Sequence, residues 1–125
     1  MIRYPITPCP APRQVRRDAW DPSPSVQRYR AFKDEVRARN VKVTATPFVV
    51  FYMPMPPSWP KKRRDRMNGT PHMSRPDIDN LQKALFDAVF DDDSHIWRVS
   101  AEKLWSEEGS IVVGELEGLM MRMAP

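Results

Sequence analysis

Arg75-Pro76-Asp77-Ile78-Asp79-Asn80-Leu81-Gln82-Lys83-Ala84-Leu85-Phe86-Asp87-Ala88-Val89-Phe90, followed at once by Asp91-Asp92-Asp93, is the stretch on which the fold turns. Leu81, Leu85, Ala88 and Val89 recur at i, i+4, i+7 and i+8, so they form one apolar face and predict a helix over 80–90. Asp79 and Gln82 match the D-x-x-Q form of a capping box at its start. Asp79 and Lys83, four apart, share a face of that helix. Such a helix is about 16 Å long. The carboxylates at its two ends therefore meet only if the chain after it doubles back.

Working outward, Val41, Val43 and Ala45 alternate with Lys42, Thr44 and Thr46 before the apolar run Phe48 to Met53, which predicts a strand over 41–53 entering a covered sheet. Trp97, Val99 and Ala101 alternate with Arg98, Ser100 and Glu102, predicting a strand over 97–105. A further strand over 110–117 follows through Glu108-Gly109, short enough to imply an antiparallel hairpin. Residues 2–8 give a first strand interrupted by Pro5 and Pro8. Val26, Tyr29 and Val36 recur near helical spacing, so 25–39 reads as an amphipathic helix with Ser25 as N-cap. Residues 58–67 read as a short basic helix, with Ser58 as cap, Pro60 in its first turn and Gly69 where it stops. Residues 9–24, with Pro10, Pro12, Pro22 and Pro24 and no apolar period, read as a mobile loop, and 70–76 as a second loop. The expected fold is α/β: a small single domain spanning 1–125, with a mixed sheet of about four strands packed with two to three helices.

A chain of 125 residues can bury roughly two-thirds of its unfolded surface, enough for one core. No apolar run approaches the ~18 residues that span a membrane, and residues 1–5 carry no signal-peptide core. The lone Cys9 has no internal disulfide partner, which suits a reducing, cytoplasmic setting. One cysteine and two histidines exclude a closed Cys/His zinc site from a single chain.

The net charge of +4 conceals a segregation: residues 58–75 carry +5 and residues 76–93 carry −5. A uniformly solvated surface does not sort its signs this way. Taken singly, Asp77 and Asp79 read as helix-capping acids and Asp91 to Asp93 as a solvated turn. Three acids beside the negative end of a helix are electrostatically awkward, however, and a bound cation relieves that. If the two groups converge, Asp77, Asp79, Asp92 and Asp93 offer the hard oxygen donors that Mg²⁺ takes, with Mn²⁺ as substitute. Lys83 then supplies a fixed positive charge beside a phosphate. Acid-held metal next to a basic surface is the chemistry of an enzyme that cuts a nucleic-acid backbone. The basic side is Lys61, Lys62, Arg63, Arg64 and Arg66, with Arg75 at the motif and Arg16 and Arg17 (with Arg13) in the proline-rich loop. These side chains would position a phosphate backbone and carry no sequence code. Pro76-Asp77 also opens a P-D…(D/E)-x-K nuclease pattern, but Glu102 and Lys103 are adjacent, so its second half fails. Trp59, Trp97 and Trp105 read as core.

The stretch from Arg75 to Ala88, with Asp92-Asp93-Ser94-His95-Ile96 beyond it, resembles the RusA family of Holliday-junction resolvases, many of them encoded by phages or prophages. The D-x-D-N-x-x-K…D-A…D-D-x-x-[IV] pattern is matched through its length, and Ser58-Trp59-Pro60-Lys61-Lys62 is similar to the segment before it. The link from Phe90 to Asp92 is shorter than the family often has. The resemblance implies a small α/β fold, a homodimer, Mg²⁺ dependence and paired nicks across a four-way DNA junction in recombination and repair. It implies Asp77, Asp79 and Asp93 as essential acids and Lys83 as the motif lysine. No small-molecule cofactor and no membrane partner are expected. Rival readings are a nuclease acting on other branched or flapped DNA, a non-catalytic junction-binding protein with a structural ion site, and an acidic protein-interaction module.

Overall fold

A computed structural model describes residues 1–116 of the chain. In chain order the strands are β1 (Ile2–Tyr4), β2 (Pro47–Pro54), β3 (Ser100–Ser106) and β4 (Ser110–Glu115), and the helices are α1 (Pro24–Ala38), α2 (Lys61–Met67) and α3 (Ile78–Val89). The sheet order is β1-β4-β2-β3. β2, the most apolar strand, lies inside the sheet. It pairs parallel with β3, Phe51 opposite Lys103, and antiparallel with β4, Val50 opposite Val112. β1 closes the other edge antiparallel to β4. This is the small α/β domain with a four-stranded mixed sheet and three helices that the sequence predicts.

The β3–β4 hairpin does not form. The two strands lie on either side of β2, so residues 107–109 step across its end near Pro54. Gly109 makes that step tight, because a Cβ there would stand 2.7 Å from the Thr7 Oγ1 and 2.9 Å from the Thr7 Cα. The strand limits differ from expectation where partners run out. β2 starts at Pro47, not 41, because its partners β3 and β4 reach no further than Phe48 and Pro47. β3 likewise starts at Ser100, where its pairing with β2 begins. β1 ends at Tyr4, where Pro5 has no N–H to donate. Residue 117, the end of the predicted last strand, lies outside the described residues.

Leu81, Ala84, Leu85 and Ala88 of α3 and Val26, Tyr29, Phe32 and Val36 of α1 are buried, and both helices cover the sheet face carrying Val49, Phe51, Met53, Ile111 and Val113. Ser23, not Ser25, caps α1: its Oγ accepts from the Val26 N–H at 3.3 Å, and Pro24 takes the first helical position. α2 starts at Lys61 with Pro60 at its N-cap, so Ser58 lies outside it, and Gly69 follows its end at φ +80°, a conformation that favours glycine. α3 starts at Ile78 with Asp77 at its N-cap, two residues ahead of expectation.

The segment 9–24 contains a 3₁₀ turn at Arg16–Ala19 organised by Asp18. Asp18 is 4% exposed, and its two carboxylate oxygens accept from the Val15 N–H at 2.8 Å and the Ser23 N–H at 2.9 Å. Those backbone bonds hold its carboxyl below the usual carboxylate range, with Arg30 and Arg17 adding to the effect. A lowered folded pKa means that the unfolded chain binds the proton more readily, so this contribution is present above the unfolded pKa of about 3.9 and fades as pH falls below it. Asp18→Ala is expected to lower Tm at neutral pH. In thermal melts across the acid range, the gap from wild type should narrow below about pH 4.

Candidate active site

Asp77 is exposed, and its carboxylate makes no capping hydrogen bond to α3. The predicted Asp79–Gln82 capping box is absent because the helix already includes Asp79 in its first turn. The Asp79 Oδ1 instead accepts from the N–H of Asn80 at 2.9 Å, and the side chain is exposed. Both acids thus stand at the positive end of the helix, where negative charge is favoured. A pocket beside them is lined by Pro10, Ala11, Arg75, Pro76, Asp77 and Asn80. Its wall comes from the N-terminal segment, whose Ala11 N–H donates to the Asn80 carbonyl at 3.2 Å.

One turn further, the Lys83 Nζ donates to Asp87 at 2.8 Å. Asp87 also accepts from the Tyr29 hydroxyl of α1 at 3.0 Å, so a buried tyrosine orients the carboxylate that orients the lysine. Burial and then that hydrogen bond push the Tyr29 hydroxyl up to about 12. The bond to Asp87 raises the Lys83 pKa first, and the Asp93 carboxylate adds to the same shift. The chain does double back after the helix, since Lys103 of β3 donates to the Ser74 and Pro76 carbonyls ahead of it. The turn that returns it is closed by the Ile96 N–H donating to the Asp93 carbonyl at 3.0 Å. Asp92 caps the same turn by accepting from the Ser94 N–H at 2.9 Å, which holds its carboxyl below the usual range. His95 packs edge-on against Phe90 at 4.7 Å between ring centres.

The doubling back is incomplete as a metal site. Among the described residues, no three aspartate, glutamate, histidine or cysteine side chains stand close enough to hold an ion. The donor chemistry of Asp77, Asp79, Asp92 and Asp93, all oxygen and all exposed, matches a hard divalent cation. Their arrangement is not a preformed cage.

The basic helix α2 presents Lys61, Lys62, Arg63 and Arg66 to solvent. Lys61 pairs with Asp65 at 2.8 Å, and Arg63 lies over the Trp59 ring at 3.9 Å. Arg64 is turned inward instead: it donates to Glu107 at 2.7 Å and to the Pro56 carbonyl at 2.8 Å, tying α2 to the β3–β4 connection. Trp59 continues into a ring stack, 4.8 Å from Trp105, which is 4.1 Å from the buried His72. Trp97 is not core as predicted, being 59% exposed before β3 begins. Arg75 and Arg16 are exposed, and Arg17 pairs with Asp21 at 2.6 Å.

The family model described as Endodeoxyribonuclease RusA matches residues 4–114. The chain belongs to the RusA family. That match runs from the last residue of β1 to the last residue but one of β4, so it takes in the core of the sheet and all three helices. No curated protein and no solved structure matches the chain. RusA proteins are endodeoxyribonucleases, and membership of the family supports a nuclease. Two groups at the candidate site carry no signal in the sequence. Tyr29 reads only as part of the apolar face of α1, although a buried tyrosine hydroxyl needs a polar partner. Lys103 falls in the half of the P-D…(D/E)-x-K pattern that fails, yet its side chain reaches the loop before Asp77.

Proposed function

We propose that this RusA-family chain resolves four-way DNA junctions by paired, symmetric nicks, acting as a homodimer that depends on Mg²⁺. The observation that carries the reading is the family match over 4–114 together with the exposed D-x-D-N-x-x-K sequence at the start of α3. Asp77 and Asp79, with Asp93 and Asp92 from the returning turn, are the residues that would hold the ion. When bound, Mg²⁺ polarises the scissile phosphate and lowers the pKa of an attacking water. Lys83, braced by Asp87 and Tyr29, sets a positive charge where negative charge grows on the phosphate oxygens. Lys61, Lys62, Arg63 and Arg66 hold flanking phosphates, with Arg75, Arg16 and Arg17 completing the basic rim; Arg64 serves to fix α2. One chain carries one such site, and two symmetric cuts call for a two-fold assembly. Of the apolar candidates for that interface, Met53 and Met55 are buried in the core, and Met120, Met121 and Met123 lie outside the described residues.

The test is cleavage of labelled four-way, three-way, flapped and linear DNA, with Mg²⁺ and with EDTA, beside sedimentation of the free protein. Paired nicks restricted to the four-way junction and dependent on Mg²⁺ are expected, from a dimer. Equal cutting of flaps would move the substrate to branched DNA in general. Tight junction binding without cutting under any metal would overturn the enzyme reading.

A further inference from the structure

We propose that Lys103 of β3 is a positioning residue that fixes the loop delivering Asp77, an inference that rests on the active-site reading above. The Lys103 Nζ donates to the Ser74 carbonyl at 2.7 Å and to the Pro76 carbonyl at 2.8 Å. These two carbonyls bracket Arg75, and the next residue is Asp77, the N-cap of α3. Residues 73–76 make no backbone–backbone hydrogen bond of their own among the described residues. Pro76 has no N–H with which to make one. The ammonium, with three donors on a flexible stem, supplies what the loop cannot.

Lys103 is itself held on both sides. Within the sheet it pairs with Phe51 of the central strand β2, one of the most deeply buried side chains. On the outer edge of β3, its carbonyl accepts from the His72 N–H, and the Trp105 N–H donates to the Thr70 carbonyl, each at 2.9 Å. The Gly69 N–H closes that edge on the Trp105 carbonyl at 2.8 Å. The segment 69–72 is therefore pinned to β3 by its backbone, and the lysine side chain extends the same docking to 74–76. Without that side chain, the backbone between His72 and α3 has no hydrogen bond to the sheet among the described residues. A carboxylate displaced by about 1 Å can cost a reaction about 10²-fold. Arginine would reach the same carbonyls with a planar fork rather than a point charge, so it should substitute only in part.

The experiment compares Lys103→Met and Lys103→Arg with wild type in the full chain. Three quantities are read: kcat on a four-way junction at saturating Mg²⁺, junction Kd in EDTA, and backbone amide NMR order parameters of the free protein. For Lys103→Met the expected results are kcat lower by about 10²-fold, Kd within about two-fold, and lower order parameters confined to residues 73–78. Lys103→Arg should recover part of kcat and raise those order parameters again. Unchanged order parameters over 73–78 would overturn the proposal, as would kcat within about two-fold of wild type. Order parameters lowered across β2 and β4 would also overturn it, by making Lys103 a general stability residue. A wild type that cuts no junction would sink the functional reading alone, because the order parameters still decide the clamp.

Discussion

Asp79→Asn is expected to slow junction cleavage by about 10³-fold at saturating Mg²⁺, the several kcal/mol that a charged group at a metal-assisted phosphoryl centre contributes to the transition state. Asparagine keeps the size of the side chain and can still accept the Asn80 N–H, the hydrogen bond that the Asp79 carboxylate makes. Asp79 is exposed, so thermal stability should move by no more than about 0.5 kcal/mol. Junction affinity in EDTA should hold or rise, since removing a negative charge removes repulsion from phosphate. Single-turnover cleavage, a gel-shift titration and a thermal melt check the three parts. A variant that still cuts within about ten-fold of wild type would take Asp79 out of the reaction and leave it as a helix-terminal charge. One that fails to bind would assign it to DNA binding.

Replacing Lys61, Lys62, Arg63 and Arg66 together by Gln is expected to flatten the salt dependence of junction binding. Each phosphate that is no longer neutralised takes about 0.9 off the slope of log affinity against log salt, so four of them take off about 3.6. Over a four-fold rise in salt, wild-type affinity should then fall by about 10²-fold more than that of the variant. Arg64 is left in place because its bonds to Glu107 and Pro56 hold α2 on the fold. Replacing Arg63 also uncovers the Trp59 ring, ending a cation–π interaction of about 0.5–1 kcal/mol at an exposed site. Because none of the four residues belongs to the acidic group, cleavage of pre-bound junction should stay within a few-fold of wild type. Fluorescence titrations at several salt concentrations measure the slope. An unchanged slope would place the DNA on another face.

The two results together separate binding from chemistry along the boundary that the charge pattern draws between residues 58–75 and 76–93. The brace from Tyr29 through Asp87 to Lys83 lies on the chemical side of that boundary, yet it is supplied by α1. Helix α1 thereby serves the site as well as the core.

The sequence by itself determined what is local. The apolar period of α3 and of α1, the run Phe48 to Met53, the basic helix and the spacing of Asp77, Asp79 and Lys83 all follow from side chains a few positions apart. Those relations survive any arrangement of the elements. The helix starts differ from expectation by one to three residues because Ser23, Pro60 and Asp77 take the N-cap positions, and a cap depends on which backbone N–H groups are left unpaired. What only the tertiary structure decided involves partners far apart in the chain. The short connection between β3 and β4 fits a hairpin in the sequence, but β2 inserts between them, because pairing depends on which strand buries the larger apolar face and not on loop length alone. The bond from Tyr29 to Asp87, the inward turn of Arg64 and the grip of Lys103 on the carbonyls before Asp77 all join residues on different elements. By setting β3 beside the central strand, the insertion of β2 brings Lys103 to the loop before Asp77, a meeting that no helical or strand period can announce.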